Sequence, residues 1–280
     1  MKFGAHVSIT GGIQNAPLAA SQIGCEVFQM FTRSPQGGPT PNLTDENIEA
    51  FLVNCQELKL PEYYIHAPYY INLASIKKRT VFGSIRAIRQ ELDIGSQIKA
   101  RYVMFHPGSA KDVTEKKGIK MVAEGIKKIL DGYRGSTELL IENSAGAGAV
   151  IGDKFEEIAA IIEDIQHPKL TGVCLDIAHS FESGYDWTDK AAVDSTIQEF
   201  DQALGLKQLK MIHANDSKTA QGSHSDRHAH IGQGEIGLKG FRAIVNHPKL
   251  KQINLILETP QDQGGYKTDL ATLRKLRTGK

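Results

Sequence analysis

The chain has 280 residues, 40% of them hydrophobic, and carries 33 Lys and Arg against 32 Asp and Glu for a net charge of +1. Such a composition supports a large buried core, and so even a charge balance gives no global electrostatic reason to bind nucleic acid. No apolar run approaches the roughly 18 residues of a membrane span, the opening MKFGAHVS lacks the form of a signal peptide, and the irregularly spaced Cys25, Cys55 and Cys174 predict buried free thiols in a reducing cytoplasm.

Short apolar segments alternate with stretches of helical periodicity. Lys2–Val7 reads as the first strand; a short first crossover with a helix at Pro17–Ile23 leads to the second strand, Glu26–Phe31. A helix over Thr44–Leu60 opens on TDEN, where Thr44 suits the cap position and the acids suit the first turn. After the third strand, Tyr63–His66, the helix Thr80–Ala100 spaces Val81, Ile85, Ile88, Leu92 and Ile98 along one face. Next come the strand Tyr102–His106, the helix Gly118–Tyr133, the strand Glu138–Glu142 and the helix Phe155–Ile165. The remaining chain reads as Gly172–Asp176, Ala191–Leu204, Leu209–His213, Phe241–Val245, Asn254–Glu258 and Asp269–Leu276, again strand and helix in turn. Eight such repeats without a linker predict one domain over residues 1–280, an α/β protein of the (β/α)8 TIM-barrel class with its active site at the C-terminal ends of the strands. A doubly wound open sheet is the competing fold. It expects GxGxxG after the first strand, where only Gly11-Gly12 stands. Of the basic runs, Lys127-Lys128 reads as a solvated helix face, whereas Lys77-Lys78-Arg79 and Lys116-Lys117 fall in loops or at helix starts.

The strand ends carry the chemistry. They read YIHAP (His66), MFHPG (His106), LIENSAG (Glu142), CLDIAHS (Asp176 and His179), MIHAND (His213 and Asp216) and LILETP (Glu258). An imidazole or carboxylate closing an apolar strand is costly unless paired or bound to metal, and in a barrel all of these ends converge on one face. Each alone reads as a satisfied polar group; six in succession read as a metal face. Imidazole and carboxylate suit zinc, and also manganese or iron. Their number exceeds the needs of one tetrahedral ion, which predicts two or three metals. His6, in GAHVS, is set apart as a residue that orients a ligand or touches substrate. Between the last two strands, SHSDRHAH places Asp226 and His228 two residues apart, as it does His228 and His230. On extended chain that spacing points side chains the same way, so Asp226 and His228 can chelate one ion, with His179 as a candidate third ligand.

At these residues the sequence resembles the endonuclease IV family of apurinic/apyrimidinic (AP) endonucleases. GAHVS, IHAPYYINLAS, HPG, LIENSAGAG, GVCLDIAHSFESGYD, HANDSK, DRHAHIGQGEIG and LETP carry the likeness, in family order over nearly the whole chain. The resemblance implies three zinc ions on a TIM barrel. His66, His106 and Glu142 would hold the first; Glu142 would bridge to a second held also by Asp176, His213 and Glu258; His179, Asp226 and His228 would hold the third. It implies cleavage of the phosphodiester 5′ to an abasic site in double-stranded DNA, leaving a 3′-hydroxyl and a 5′-deoxyribose phosphate. Glu142 and Glu258 would act as the catalytic carboxylates that position a metal-bound hydroxide. Members flip the abasic nucleotide out and prop the gap with inserted side chains. Tyr69 matches the inserted tyrosine, and Gln36 falls near an inserted arginine. The 33–38 loop, RSPQGG, departs from the bulkier Arg-Gln-Trp tip of the well-known branch.

The resemblance further implies a DNA-repair hydrolase that acts as a monomer in the cytoplasm, near the nucleoid in a prokaryote, with accessory 3′-end repair as a further activity. A metal-dependent sugar isomerase or epimerase is the competing enzyme, and a damage-binding module with structural zinc the non-catalytic alternative. Neither needs as many ligand candidates with open coordination positions.

Overall fold

In the computed structural model, which describes residues 1–37 and 43–277, eight parallel strands close into a barrel. They are β1 (Phe3–Val7), β2 (Val27–Met30), β3 (Tyr63–His66), β4 (Tyr102–Phe105), β5 (Glu138–Glu142), β6 (Leu170–Asp176), β7 (Leu209–His213) and β10 (Asn254–Leu257). Each pairs with its neighbour in sequence, and β10 closes the ring on β1 by pairing Phe3 with Leu255 and Ala5 with Leu257. A two-stranded antiparallel pair, β8 (Asp216–Ser217) and β9 (His228–Ala229), sits in the connection between β7 and β10. The helices are α1 (Ala16–Gln22), α2 (Asp45–Glu57), α3 (Lys78–Ile98), α4 (Glu115–Leu130), α5 (Phe155–Ile165), α6 (Ile177–Glu182), α7 (Lys190–Ala203), α8 (Gly237–Asn246) and α9 (Gly265–Leu276). None of the described helices is long and apolar enough to cross a membrane.

Strand geometry decides where the site lies. Side chains alternate between faces along a strand, so one set packs against the helices and the other fills the barrel. The barrel interior is a separate cluster of Val27, Tyr64, Tyr102, Met104, Leu140, Cys174, Met211 and Ile256. Two residues beyond these, on the same face and one layer nearer the C-terminal end, come Gln29, His66, His106, Glu142, Asp176, His213 and Glu258. The functional face is therefore the next side-chain layer of the barrel, resting on an apolar floor. In β1 the floor position is Gly4, where a Cβ would stand 1.8 Å from the Val27 carbonyl oxygen, so the close β1–β2 approach admits only glycine.

The observed helices start within a few residues of expectation where a cap marks them. Thr44 accepts from the Asn47 N–H and Thr114 from the Lys117 N–H, opening α2 and α4. Helix α3 starts at Lys78, two residues before the expected Thr80, and has no side-chain cap. β6 begins at Leu170 rather than Gly172; Gly172 lies within the strand at φ +154°, where the Gln208 carbonyl oxygen comes within 2.0 Å of where a Cβ would be, so a glycine that looks like a strand start is a close backbone approach inside it. The six-residue α6 adds a helix that the periodicity does not mark. It is too short to show a repeat, and its start is dictated by Asp176, whose carboxylate accepts from the His179 N–H. All three cysteines are buried and free, as expected.

Candidate metal centre

Glu142, at the end of β5, is fully buried at the middle of the polar layer. Its Oε2 lies 2.9 Å from His66 Nε2; its Oε1 lies 2.7 Å from His213 Nδ1 and 3.7 Å from His106 Nε2. His66, His106 and Glu142 form one group whose ligand atoms lie within 4.8 Å of one another, and Glu142, Asp176, His213 and Glu258 form another. A third convergence joins His179, Asp226 and His228. His179 Nε2 stands 3.3 Å from Asp226 Oδ1 and 3.4 Å from His228 Nε2, which is itself 3.5 Å from Asp226 Oδ1. The layer is continuous, since Asp176 also lies within ligand range of His179 and His228.

The hydrogen bonds on the far side of each ring show what the near side is built to face. His66 Nδ1 is 2.6 Å from the Ala67 carbonyl, His179 Nδ1 3.1 Å from the Asn143 carbonyl, and His228 Nδ1 3.1 Å from the Glu258 carbonyl. A carbonyl only accepts, so these nitrogens carry protons, and it is Nε2 of each ring that is left to offer a lone pair to a metal. His213 is oriented the other way round: its Nε2 donates to Gln29 Oε1 at 2.8 Å, leaving the Nδ1 lone pair toward Glu142. Four imidazoles thus aim lone pairs at carboxylate oxygens, and two of them at each other. Acceptors facing acceptors at these distances repel unless positive charge sits among them. Protons can supply it, and divalent ions supply it while leaving the imidazoles neutral, so the donor set fits hydrolytic metals of the zinc class.

The electrostatics agree. Burial pushes the His179 and His213 rings toward neutrality, yet the surroundings, Asp176 and Asp226 for the one and Cys174 and Glu142 for the other, raise both well above the ordinary imidazole value. Burial likewise opposes the Glu142 charge, but His106, His213 and His66 hold it well below the usual carboxylate range. Glu258 is also held low, by His213 and His6 against its burial. The pocket favours bound cations.

Several residues that hold this arrangement escape a reading of the sequence. Gln29, fully buried on β2, donates to Glu258 Oε1 at 2.7 Å while its carbonyl oxygen orients His213. Asn143 accepts from the Asp176 N–H at 2.6 Å and donates to the Asp176 carbonyl. Asn215 donates to Asp176 Oδ2 and accepts from the Glu258 N–H, both at 2.7 Å, tying the ends of β6 and β10 together. Glu182 on α6 accepts from Ser217 Oγ, Thr219 Oγ1 and the Arg227 N–H, which anchors the loop bearing Asp226 and His228. Apart from Glu182 these are neutral amides, which a search for charged strand ends passes over.

Other candidates land elsewhere. Asp216 turns from the layer and accepts from the Gly232, Gly234 and Ile236 N–H groups, ordering the turn before α8. His230 bonds Asp269 and Asp262, each at 2.9 Å. His6 lies 3.1 Å from Glu258 Oε1 and 3.0 Å from Gln29 Nε2, beside the Phe31 ring, at the edge of a cavity of about 590 Å³. Tyr69 is 63% exposed and sets its ring edge-on to Phe31 at 5.2 Å. Its N–H donates to the Pro35 carbonyl, which brings the exposed Gln36 into the same rim. Arg33, in contrast, is buried in an ion pair with Glu91 of α3. Gly38, the last residue of the 33–38 loop, lies outside the described residues.

Comparison with known proteins places this geometry. The family model described as "xylose isomerase-like TIM barrel" (AP_endonuc_2) matches residues 17–276. A protein of Chlorobium limicola described as "probable endonuclease 4" is 39% identical over 278 residues, covering 98% of this chain and 95% of its own. The crystal structure of endonuclease IV from Thermus thermophilus superimposes with a TM-score of 0.87 at 32% identity, covering 99% of this chain and 98% of the other. A D-tagatose 3-epimerase-like protein shares the fold, with a TM-score of 0.72 at 19% identity over 99% of this chain and 97% of its own.

Proposed function

The chain belongs to the endonuclease IV family of AP endonucleases, and from that membership we propose that it is a DNA-repair hydrolase cutting double-stranded DNA on the 5′ side of abasic sites, leaving a 3′-hydroxyl and a 5′-deoxyribose phosphate. The observation that carries this reading is the layer of oriented imidazole lone pairs and buried carboxylates. In this reading His66, His106 and Glu142 hold one zinc; Glu142, Asp176, His213 and Glu258 a second; His179, Asp226 and His228 a third. Manganese or iron suits some of the same positions. Such ions supply a hydroxide available at neutral pH and positive charge opposite the phosphate.

The protein's own groups do the rest. Glu142 presents one oxygen to the His66 side and one to the His213 side, which suits a bridging carboxylate. Glu258 has Oε1 fixed by Gln29 and His6, so Oε2, 3.4 Å from His213 Nδ1, is left to orient the attacking water. The apolar floor below keeps bulk solvent out and strengthens every charge interaction above it. Tyr69 and Gln36 stand on the rim, where they would fill the gap left by a flipped abasic nucleotide. The enzyme would act as a cytoplasmic monomer, and the same centre would trim blocked 3′ ends. A sugar isomerase or epimerase on this barrel would leave the His179–Asp226–His228 group without a task.

The test is nicking of a duplex with one abasic site, with and without chelator. Chelator-sensitive cleavage 5′ to the lesion is expected. Intact duplex together with ketose isomerisation by the metal-replete protein would overturn the reading. Metal analysis is expected to give three ions per chain, and about one would remove the trinuclear assignment.

A further inference from the structure

The connection from β3 into α3 carries a surface that the metal centre does not use. Of the seven large hydrophobic side chains exposed among the described residues, four, Tyr69, Tyr70, Ile76 and Phe82, fall between residues 69 and 82. The charge is just as uneven. Residues 63–90 hold five cations (Lys77, Lys78, Arg79, Arg86 and Arg89) and no acid, so the rest of the chain has 28 cations against 32 acids. Lys77, Lys78, Arg79 and Arg86 are all exposed, and none forms an ion pair among the described residues. Elsewhere on the surface Lys127, Lys154, Lys190, Lys249 and Arg101 each meet a carboxylate, while others such as Lys59, Lys99 and Lys120 do not, so what sets this segment apart is a run of cations with no acid among them.

The fold does not explain these cations. Lys and Arg at the start of a helix oppose its dipole, and α3 has neither a side-chain cap nor an acid in its first turn, whereas α2 and α4 have both. Yet the segment is firmly built. Asn72 donates its backbone N–H to Ser84 Oγ and its side-chain amide to the Ser109 carbonyl, while its Oδ1 accepts from the Ala74 and Ser109 N–H groups. Arg79, Phe82 and Arg86 follow one another at helical spacing on α3, so cations and an aromatic ring share one face. In a barrel of this topology helices begin at the C-terminal ends of the strands, which puts the first turn of α3 on the same end as the metal layer. Tyr69, at the head of the same connection, has its ring 5.9 Å from that of His66.

We propose that the patch formed by Ile76, Lys77, Lys78, Arg79, Phe82 and Arg86 is a contact surface for the sugar–phosphate backbone of duplex DNA flanking the lesion, continuous with the rim of the metal centre but outside it. This rests on the reading of duplex DNA as substrate. Unpaired cations on a firmly held connection complement a polyanion that extends beyond the reacting phosphate, and backbone contacts of this kind position a duplex without reading its sequence. They also let a chain of near-neutral net charge hold DNA.

The test is the triple variant Lys77→Ala/Lys78→Ala/Arg79→Ala, set beside the charge-preserving Lys77→Arg/Lys78→Arg. None of these residues touches the metal ligands, so kcat at saturating substrate is expected to stay unchanged. On an abasic duplex of roughly 30 base pairs KM should rise tenfold or more, and the slope of log affinity against log salt should fall by about 0.9 for each phosphate that the variant no longer neutralises. On a short duplex ending a few base pairs from the lesion the difference should disappear, and the Arg variant should match the parent on both. Unchanged KM and salt slope on the long duplex would overturn the proposal, whatever acidic protein the patch were then found to bind. An equal rise in KM on both duplexes would overturn it too, by placing the patch at the lesion. If the parent protein leaves abasic duplex uncut, the catalytic reading fails by itself, and the salt slope for undamaged duplex decides the patch separately.

Discussion

Replacing Gln29 by Leu should weaken metal binding without removing a ligand. Gln29 makes two connections: its carbonyl accepts from His213 Nε2 at 2.8 Å, and its amide donates to Glu258 Oε1 at 2.7 Å, an oxygen it shares with His6. Gln29 and His213 are fully buried, so the His213 N–H regains no water when the amide is lost. The His213 ring then has no acceptor to hold Nδ1 toward Glu142 and is free to turn. Residues that orient a metal ligand in this way are worth about 10- to 100-fold in metal affinity, or roughly 1.4–2.8 kcal/mol at 1.4 kcal/mol per tenfold. Leaving the His213 N–H unsatisfied costs about 1–3 kcal/mol in either state. The assay is chelator-competition titration, paired with denaturation of the metal-free and metal-loaded forms. The variant should be modestly destabilised without metal and should lose a further increment of metal-linked stability, up to about 2.7 kcal/mol for a hundredfold weaker site at fixed metal concentration. A variant whose metal affinity stays within twofold of the parent would refute the reasoning, because His213 would then be oriented without Gln29.

Glu258→Gln should abolish nicking, with kcat reduced about 10³-fold or more if Oε2 orients the attacking water, while gel-shift affinity for abasic duplex persists; loss of affinity alone would assign Glu258 to DNA contact. If three ions bind as proposed, Asp226→Asn should lower the bound metal by one ion per chain and leave the other two, since Asp226 meets only the His179–His228 pair; elemental analysis after dialysis reads this directly. Glu157 offers a pH test remote from the centre. Burial raises its carboxyl from 4.5 to about 7 in the folded chain, although it accepts from the Gly152 N–H. A carboxyl raised on folding binds more protons in the native state, so its stability contribution is complete below about pH 4.5 and is lost as pH rises to about 7. Glu157→Gln should therefore gain on the parent between about pH 5 and pH 8 in urea midpoint, and parallel pH profiles would show that the carboxyl is not raised.

Much of this protein is legible in its sequence because the signals are local. Apolar runs and capped periodic stretches locate strands and helices within a few residues, and β3, β5 and β7 fall on the expected residues. A charged or imidazole residue at the end of an apolar run marks the barrel's functional layer, since on a strand it must share a face with the residue two before it. The same local logic misses what carries no charge or no period: Gln29, Asn143, Asn215 and the six-residue α6. It also counts Asp216 with the strand ends, although that side chain turns away to the 232–237 turn.

Only the closed barrel decides how the layer is wired. His6 meets Glu258 across 252 positions of chain because β1 pairs with β10. Asn215 joins Asp176 to Glu258 because β7 lies between β6 and β10. Which nitrogen His179, His228 and His213 turn inward depends on groups that tertiary packing delivers, from Asn143, Glu258 and Gln29, whereas His66 uses the carbonyl of its chain neighbour Ala67. Residue type and two-residue spacing are properties of the chain alone and set the identity of the donors. The direction of a lone pair depends on what stands behind the ring, and that exists only once the strands have closed.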